Sequence, residues 1–250
     1  MNYDALETTY WNAQIERIEQ LRLKISALPL AGDGRVVPDD DALSIGRGRR
    51  LSMAVMFIDI CGFSARPLET AEEQNLMLKV LNLFFTEMIR ISEDYGGNVE
   101  KNTGDGLMVY FNDNDGSPPE DGSKRAVSCA LTMMTANQIL ISPILKASNV
   151  EPIDFRVSID WGYVTVAKIG APRRFSANTA IGSTANFASK MLKMADKNEI
   201  VIGESARAKL PTSWQTSFTS VTPESSGWTY RVNNAPYLLY KYFGRWDRLI

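Results

Sequence analysis

Met53-Ala54-Val55-Met56-Phe57-Ile58-Asp59-Ile60-Cys61-Gly62-Phe63-Ser64 is the stretch on which the fold turns. Met53 to Ile58 is a continuous apolar run, the pattern of a strand buried on both faces, and it ends on a carboxylate. A charge set directly after six apolar residues, and followed by Ile60 and then Gly62-Phe63, is not a solvated surface charge. Downstream, Glu69 to Tyr95 carries Leu76, Val80, Leu83, Phe84 and Ile91 at helical spacing and stops at Gly96-Gly97, a helix-end signal. Asn98–Thr103 and Leu107–Phe111 flank Gly104-Asp105-Gly106, which predicts a hairpin with an aspartate in its turn.

The remaining chain continues the alternation. Asn112–Asp121 reads as a polar loop and Ser123–Leu140 as a second helix. Ile153–Ile159 and Val164–Ile169 read as two strands joined by Asp160-Trp161-Gly162-Tyr163. A loop over Ala171–Ala177 carries Arg173 and Arg174, a helix covers Ser183–Ala195, and a short strand, Glu199–Ile202, precedes a short helix from Glu204. The tail, Trp228–Tyr242, adds one or two strands. This order predicts an α+β sandwich with helices on one face of a mostly antiparallel sheet.

Upstream, Leu6, Tyr10, Trp11, Ile15, Ile18, Leu21, Leu23 and Ile25 recur at mostly helical steps. They predict an N-terminal helix over residues 1–28, packed on its own domain or used for dimerisation. Residues 29–50 read as a linker, with the main domain over 51–250. Gly32-Asp33-Gly34 repeats the tripeptide of the hairpin turn but has no apolar strands beside it, so it reads as a loop.

Composition narrows the chemistry. The 250 residues include no histidine, which excludes a Ser-His-Asp triad, His-ligated zinc and an imidazole base. Two cysteines, Cys61 and Cys129, fit a reducing compartment and alone cannot build a Cys-rich zinc site. Any metal is therefore held by oxygen, which points to magnesium or manganese. A net charge of −2 gives no nucleic-acid footprint. No apolar run suggests a membrane span and no signal-peptide pattern is seen, so the expected location is cytoplasmic. If the two strands are neighbours, Asp59 and Asp105 project from one end of the sheet. Two hard oxygen ligands so placed suit divalent ions carrying a triphosphate. Taken alone, Asp105 also reads as an ordinary turn aspartate.

Here the residues resemble a family. Met53–Ser64 resembles the first metal-binding strand of class III nucleotidyl cyclases, and Gly96–Met108 their second. Phe155–Gly170 is similar to the family's next hairpin, and Thr179–Lys190 to its final catalytic helix. The resemblance implies a ferredoxin-like cyclase sandwich working as a head-to-tail homodimer with shared active sites. Asp59 and Asp105, with the carbonyl of Ile60, would hold two divalent ions, Mn2+ or Mg2+. The ribose 3′ oxygen would attack the α-phosphorus and release pyrophosphate. Asn186 would orient the ribose from the partner chain, Lys190 would steady charge on the α-phosphate, and Lys101 and Thr179 would contact the base. Phe57 is the nearest candidate for an apolar wall beside the base.

The departures are specific. Lys190 stands where the family usually has an arginine and cannot fork onto two oxygens. Ser183 replaces the family's aspartate, and Tyr163 follows Gly162 where an arginine sometimes stands. No glycine-flanked lysine for the β/γ-phosphates is found near the C-terminus. Lys193, Arg173 and Arg174 are candidates for that grip, or plain surface charges. The altered phosphate grip, the N-terminal helix with its linker and Ile159-Asp160-Trp161-Gly162 look more like the bacterial pyrimidine cyclases of the Pycsar antiphage systems. That resemblance implies cyclic UMP, or cyclic CMP, made as a signal to a cyclic-nucleotide-binding effector. Lys101 can only donate, which suits the two ring oxygens of uracil and favours UTP. An adenylate cyclase, or a cyclase-like domain that binds nucleotide without turnover, are the alternatives.

Overall fold

Burial alternates along Gly48–Ile60, and that alternation organises the molecule. Ala54, Met56, Ile58 and Ile60 face one core, and Leu51, Met53 and Val55 face another, as the two-residue period of a strand requires. The computed structural model describes residues 32–33, 43–102, 104–113, 121–171, 176–221, 227–230 and 233–245. In chain order the strands and helices are β1 (Gly32–Asp33), β2 (Gly48–Ile60), α1 (Ala71–Asp94), β3 (Asn98–Asn102), β4 (Gly106–Asn112), α2 (Gly122–Ala136), α3 (Ser142–Ala147), β5 (Phe155–Gly170), β6 (Ser176–Ile181), α4 (Ser183–Met191), β7 (Ile200–Gly203), α5 (Glu204–Arg207), β8 (Phe218–Ser220) and β9 (Leu239–Tyr242). A π-helical turn, Asn137–Ile141, joins α2 to α3.

The sheet runs β3-β4-β2-β5-β7-β9-β8, with β1 paired to β2 and β6 to β5. Only the β1–β2 and β5–β7 pairs are parallel among the described strands. The expected α+β class and mostly antiparallel sheet are borne out. α1 and α2 pack on the larger core, and α4 adds helical cover to the second face through Ala185 and Ala188. Phe84 of α1 sits edge-on to Phe85 and Phe155 at centroid distances of 5.2 and 5.4 Å, with no exposure. Phe84→Ala is expected to cost about 3–5 kcal/mol in chemical denaturation, the usual range for truncating a buried aromatic.

Local chemistry explains the helix ends. Thr70 caps α1, its Oγ1 accepting from the Glu73 N–H while Glu73 accepts from the Thr70 N–H, a reciprocal capping box. The Gly97 N–H closes the other end onto the Ser92 carbonyl at 2.7 Å, so Gly96-Gly97 stops the helix as expected.

Three expectations need correction. Gly32–Asp33 is a short strand parallel to Arg49–Arg50, because the edge of β2 beyond the end of β4 is open to pairing. Asp160-Trp161-Gly162-Tyr163 is not a turn: β5 is one strand of 16 residues, and its hairpin partner is β6. Gly162 stays in the strand because α4 lies against it, where a Cβ would meet the Thr184 hydroxyl at 2.4 Å. Lastly, the helical run Gly122–Ala147 is 26 residues with a mean hydropathy of 1.3 in its most apolar window, enough in length and composition to cross a membrane. Half of that window is buried inside the protein, which accounts for its apolar character. The N-terminal helix lies outside the described residues.

Candidate active site

The two candidate metal aspartates are backbone neighbours at one end of the sheet. Asp59 pairs with Gly106 across β2 and β4, and the Ile60 N–H donates to the Asp105 carbonyl at 2.8 Å. Phe57, two residues before Asp59, lies on the same face of β2 and packs against the core that α4 covers. Gly62 and Gly104 beside the carboxylates have φ of 69° and 96°, a left-handed backbone that favours glycine, and nothing lies within 4 Å of where a Cβ would be. The backbone there is open to a close-approaching ligand.

The loop after Ile60 is anchored. The Cys61 N–H donates to the Asp154 carbonyl at 2.8 Å, and Arg66 donates to the carbonyls of Pro152 and Glu151 at 2.6 and 3.2 Å. A cavity of about 190 Å³ lies beside this loop, between Gly62, Arg66 and Lys197. A larger one, about 450 Å³ and lined by Asn137, Lys146 and Arg245, contains none of the predicted site residues.

Asp59 has a partner that local sequence does not reveal. Arg156, opposite it on β5, donates from Nε at 2.8 Å and Nη2 at 2.7 Å, both to Oδ2. The pair is partly exposed, at 31% and 22%. The signal was a basic residue between the apolar Phe155 and Val157, but only the register with β2 assigns it a carboxylate. Among the described residues no group of three or more Cys, Asp or Glu side chains forms a metal cluster. The donor set at this end is two carboxylates and main-chain carbonyl oxygen, hard ligands that fit Mg2+ or Mn2+.

The other predicted residues lie elsewhere on the chain. Lys101 is on β3, opposite Met108. Thr179 is on β6 opposite Ala167, which itself pairs with Gly48 at the start of β2. Asp59 lies eleven residue steps along β2 from Gly48, roughly 35 Å along an extended chain. One chain therefore does not bring Thr179 to its own Asp59. Asn186 and Lys190 are exposed on α4, one turn apart, while Ala185, Ala188 and Met191 face inward. Lys193 is exposed on the 3₁₀ turn after α4, and Arg173 and Arg174 lie outside the described residues. Tyr163 is exposed and carries the Arg50 guanidinium 3.8 Å above its ring.

A model of the adenylate and guanylate cyclase catalytic domain matches residues 48–226. The chain belongs to this family. It is similar to a cytidylate cyclase of Staphylococcus aureus, 26% identical over 152 residues, and to one of Escherichia coli, 27% identical over 164. These matches cover 60% and 63% of this chain but only 35% of each relative's length. Among solved structures, the guanylyl cyclase Cya2 aligns with a TM-score of 0.65 at 22% identity, over 80% of this chain and 95% of that one. The adenylyl cyclase CyaB of P. aeruginosa aligns with a TM-score of 0.65 at 25% identity, over 82% of this chain and all of that one. The cyclase fold expected from the motifs is thus established, and the carboxylate pair lies within the matched domain.

Proposed function

We propose that this cyclase domain converts a pyrimidine nucleoside triphosphate, UTP in preference to CTP, to its 3′,5′-cyclic monophosphate and pyrophosphate. The observation that carries the reading is the meeting of Asp59, Ile60 and Asp105 at an anchored, glycine-flanked end of the sheet. Divalent ions held there by the two carboxylates and the Ile60 carbonyl would supply Lewis acidity toward the 3′-hydroxyl and neutralise triphosphate charge. Arg156 steadies the Asp59 carboxylate and offers a guanidinium at the same end for phosphate oxygens, in a site where the usual lysine is missing. Asn186 orients the ribose and Lys190 steadies the α-phosphate, both from the partner chain. Lys101 and Thr179 bond the base beside Phe57. The distance along β2 between Asp59 and the β6 end supports a head-to-tail homodimer. Residues 1–28 then serve as a dimerisation helix joined by the linker 29–50 to the catalytic domain, 51–250. The free cysteines, Cys61 and Cys129, fit a cytoplasmic setting.

The names of the curated relatives support a pyrimidine base and give CTP as the second reading. The motif resemblance to the Pycsar cyclases supports a role in antiviral signalling through a cyclic-nucleotide-binding effector. The test is to incubate the full chain with each of four nucleoside triphosphates and Mn2+ or Mg2+, and to identify cyclic products by mass. UTP is expected to give the highest kcat/KM. CTP as the best substrate would overturn the donor argument from Lys101 and keep the pyrimidine reading. ATP as the best would make this an adenylate cyclase, and no product from any of them a binding domain.

A further inference from the structure

Asp160 is 2% exposed, yet no arginine or lysine pairs with it among the described residues. It accepts instead from the hydroxyl of Tyr237, itself 3% exposed and 77 residues further along the chain. The Ser205 N–H donates to the same hydroxyl at 3.4 Å. Gly203 lets β7 close over the contact: a Cβ there would come within 2.4 Å of Asp160 Oδ1 and 2.6 Å of Tyr237 Oη. A carboxylate buried with neutral partners is costly, and none of the metal-site residues touches it.

The contact leads to α4. The Tyr237 ring stacks on Phe187 with centroids 5.3 Å apart and planes at 21°, and Trp228 approaches Phe187 at 5.5 Å. Tyr230 meets Tyr237 edge-on at 5.1 Å. On the same helix, the carbonyl of Ala188 accepts from the buried Ser158 hydroxyl at 2.6 Å. Phe187 is the immediate neighbour of Asn186 and lies three residues before Lys190.

We propose that Asp160 and Tyr237 are positioning residues for the cyclase reaction, fixing α4 and with it the exposed stripe that carries Asn186 and Lys190. The inference rests on the reading that this stripe completes an active site. Misplacing a catalytic group by about 1 Å costs roughly 100-fold in rate, so a helix held in part through this aromatic stack and buried polar contact is sensitive to both. Burial pushes the Asp160 carboxyl up to about 7, against the lowering effect of the Tyr237 hydroxyl and the Trp161 N–H. The titratable groups coupled to it are Tyr237 and Tyr230 from the C-terminal segment, and Tyr230 in turn donates to Glu204 of α5 at 3.0 Å. β2 brings the apolar Val55 opposite it. The ionised carboxylate accepts the stronger, charge-assisted bond, so α4 is held best above that pH. Stability moves the other way. With a raised native pKa, the contribution of protonated Asp160 is complete at low pH and is lost as pH rises from the ordinary carboxylate range through about 7.

Tyr237→Phe keeps the ring and removes the donor; Asp160→Asn keeps the shape and cannot ionise. In the full chain, Tyr237→Phe is expected to lower kcat about 10- to 100-fold with little change in KM, and to move the acidic limb of the kcat–pH profile upward. Asp160→Asn should abolish that limb. Hydrogen exchange in residues 183–191 should quicken in Tyr237→Phe while β2 stays protected. Wild-type kcat with an unmoved limb would overturn the inference, as would lost activity without faster exchange in α4. A wild-type protein that cyclises no triphosphate, yet shows the α4 exchange response, would overturn the functional reading beneath it instead.

Discussion

Asp59→Asn and Asp105→Asn are each expected to reduce cyclisation by roughly 1,000-fold or more, the rate equivalent of several kcal/mol of charge stabilisation at the transition state. Each substitution removes an ionised oxygen ligand and leaves side-chain shape almost unchanged. The fold should survive both. Asp105 lies outside the strands, in the turn before β4. Asp59 does lose the full strength of its pair with Arg156, but that pair is 31% and 22% exposed, and partly solvated ion pairs contribute on the order of 1 kcal/mol or less. Melting temperature and dimer mass should therefore stay close to the parent values while turnover collapses. Titrating Mn2+ by electron paramagnetic resonance separates the two explanations of inactivity. Weakened Mn2+ binding in both variants supports the shared metal site. Unchanged binding, or substantial turnover in either variant, would exclude it.

How much of this was legible in sequence depends on whether the partner of a residue lies nearby in the chain. The apolar run ending at Asp59, the glycine stop after α1 and the aspartate between β3 and β4 are local patterns, and the structure has all three. Asp160 misled for the same reason. Asp-Trp-Gly-Tyr has turn composition, and a tyrosine hydroxyl 77 residues away helps make an aspartate tolerable inside a buried strand. β6 was hidden because Ser-Ala-Asn-Thr-Ala-Ile has no apolar alternation; it forms by pairing with the outer half of β5. Arg156 could be seen as a charge in a strand, but its role waits on the register that sets it against Asp59. The candidate metal half rests on two local motifs, whose aspartates the structure makes backbone neighbours. The half that would bind base and phosphate depends on pairings between distant segments and, in the proposed dimer, on a second copy of the chain.

That second copy yields the sharpest test. If each site combines Asp59 and Asp105 of one protomer with Asn186 and Lys190 of the other, two inactive variants should repair each other. An Asp59→Asn protomer still offers a sound Asn186, and an Asn186→Ala protomer a sound Asp59. In a mixed dimer one site carries both defects and the other carries neither. Random re-pairing of equal amounts makes half the dimers mixed, so about a quarter of all sites, and of parental activity, should return. The geometry that favours this outcome is that Asn186 and Lys190 are exposed on α4, away from the core residues Ala185, Ala188 and Met191. A site complete within one protomer would give no recovery, because every protomer in the mixture carries a defect. Mixing the variants under conditions where native mass spectrometry shows subunit exchange, and assaying the product by mass, decides between these. Exchange without recovered activity would rule out the composite site and with it the roles given to Asn186 and Lys190.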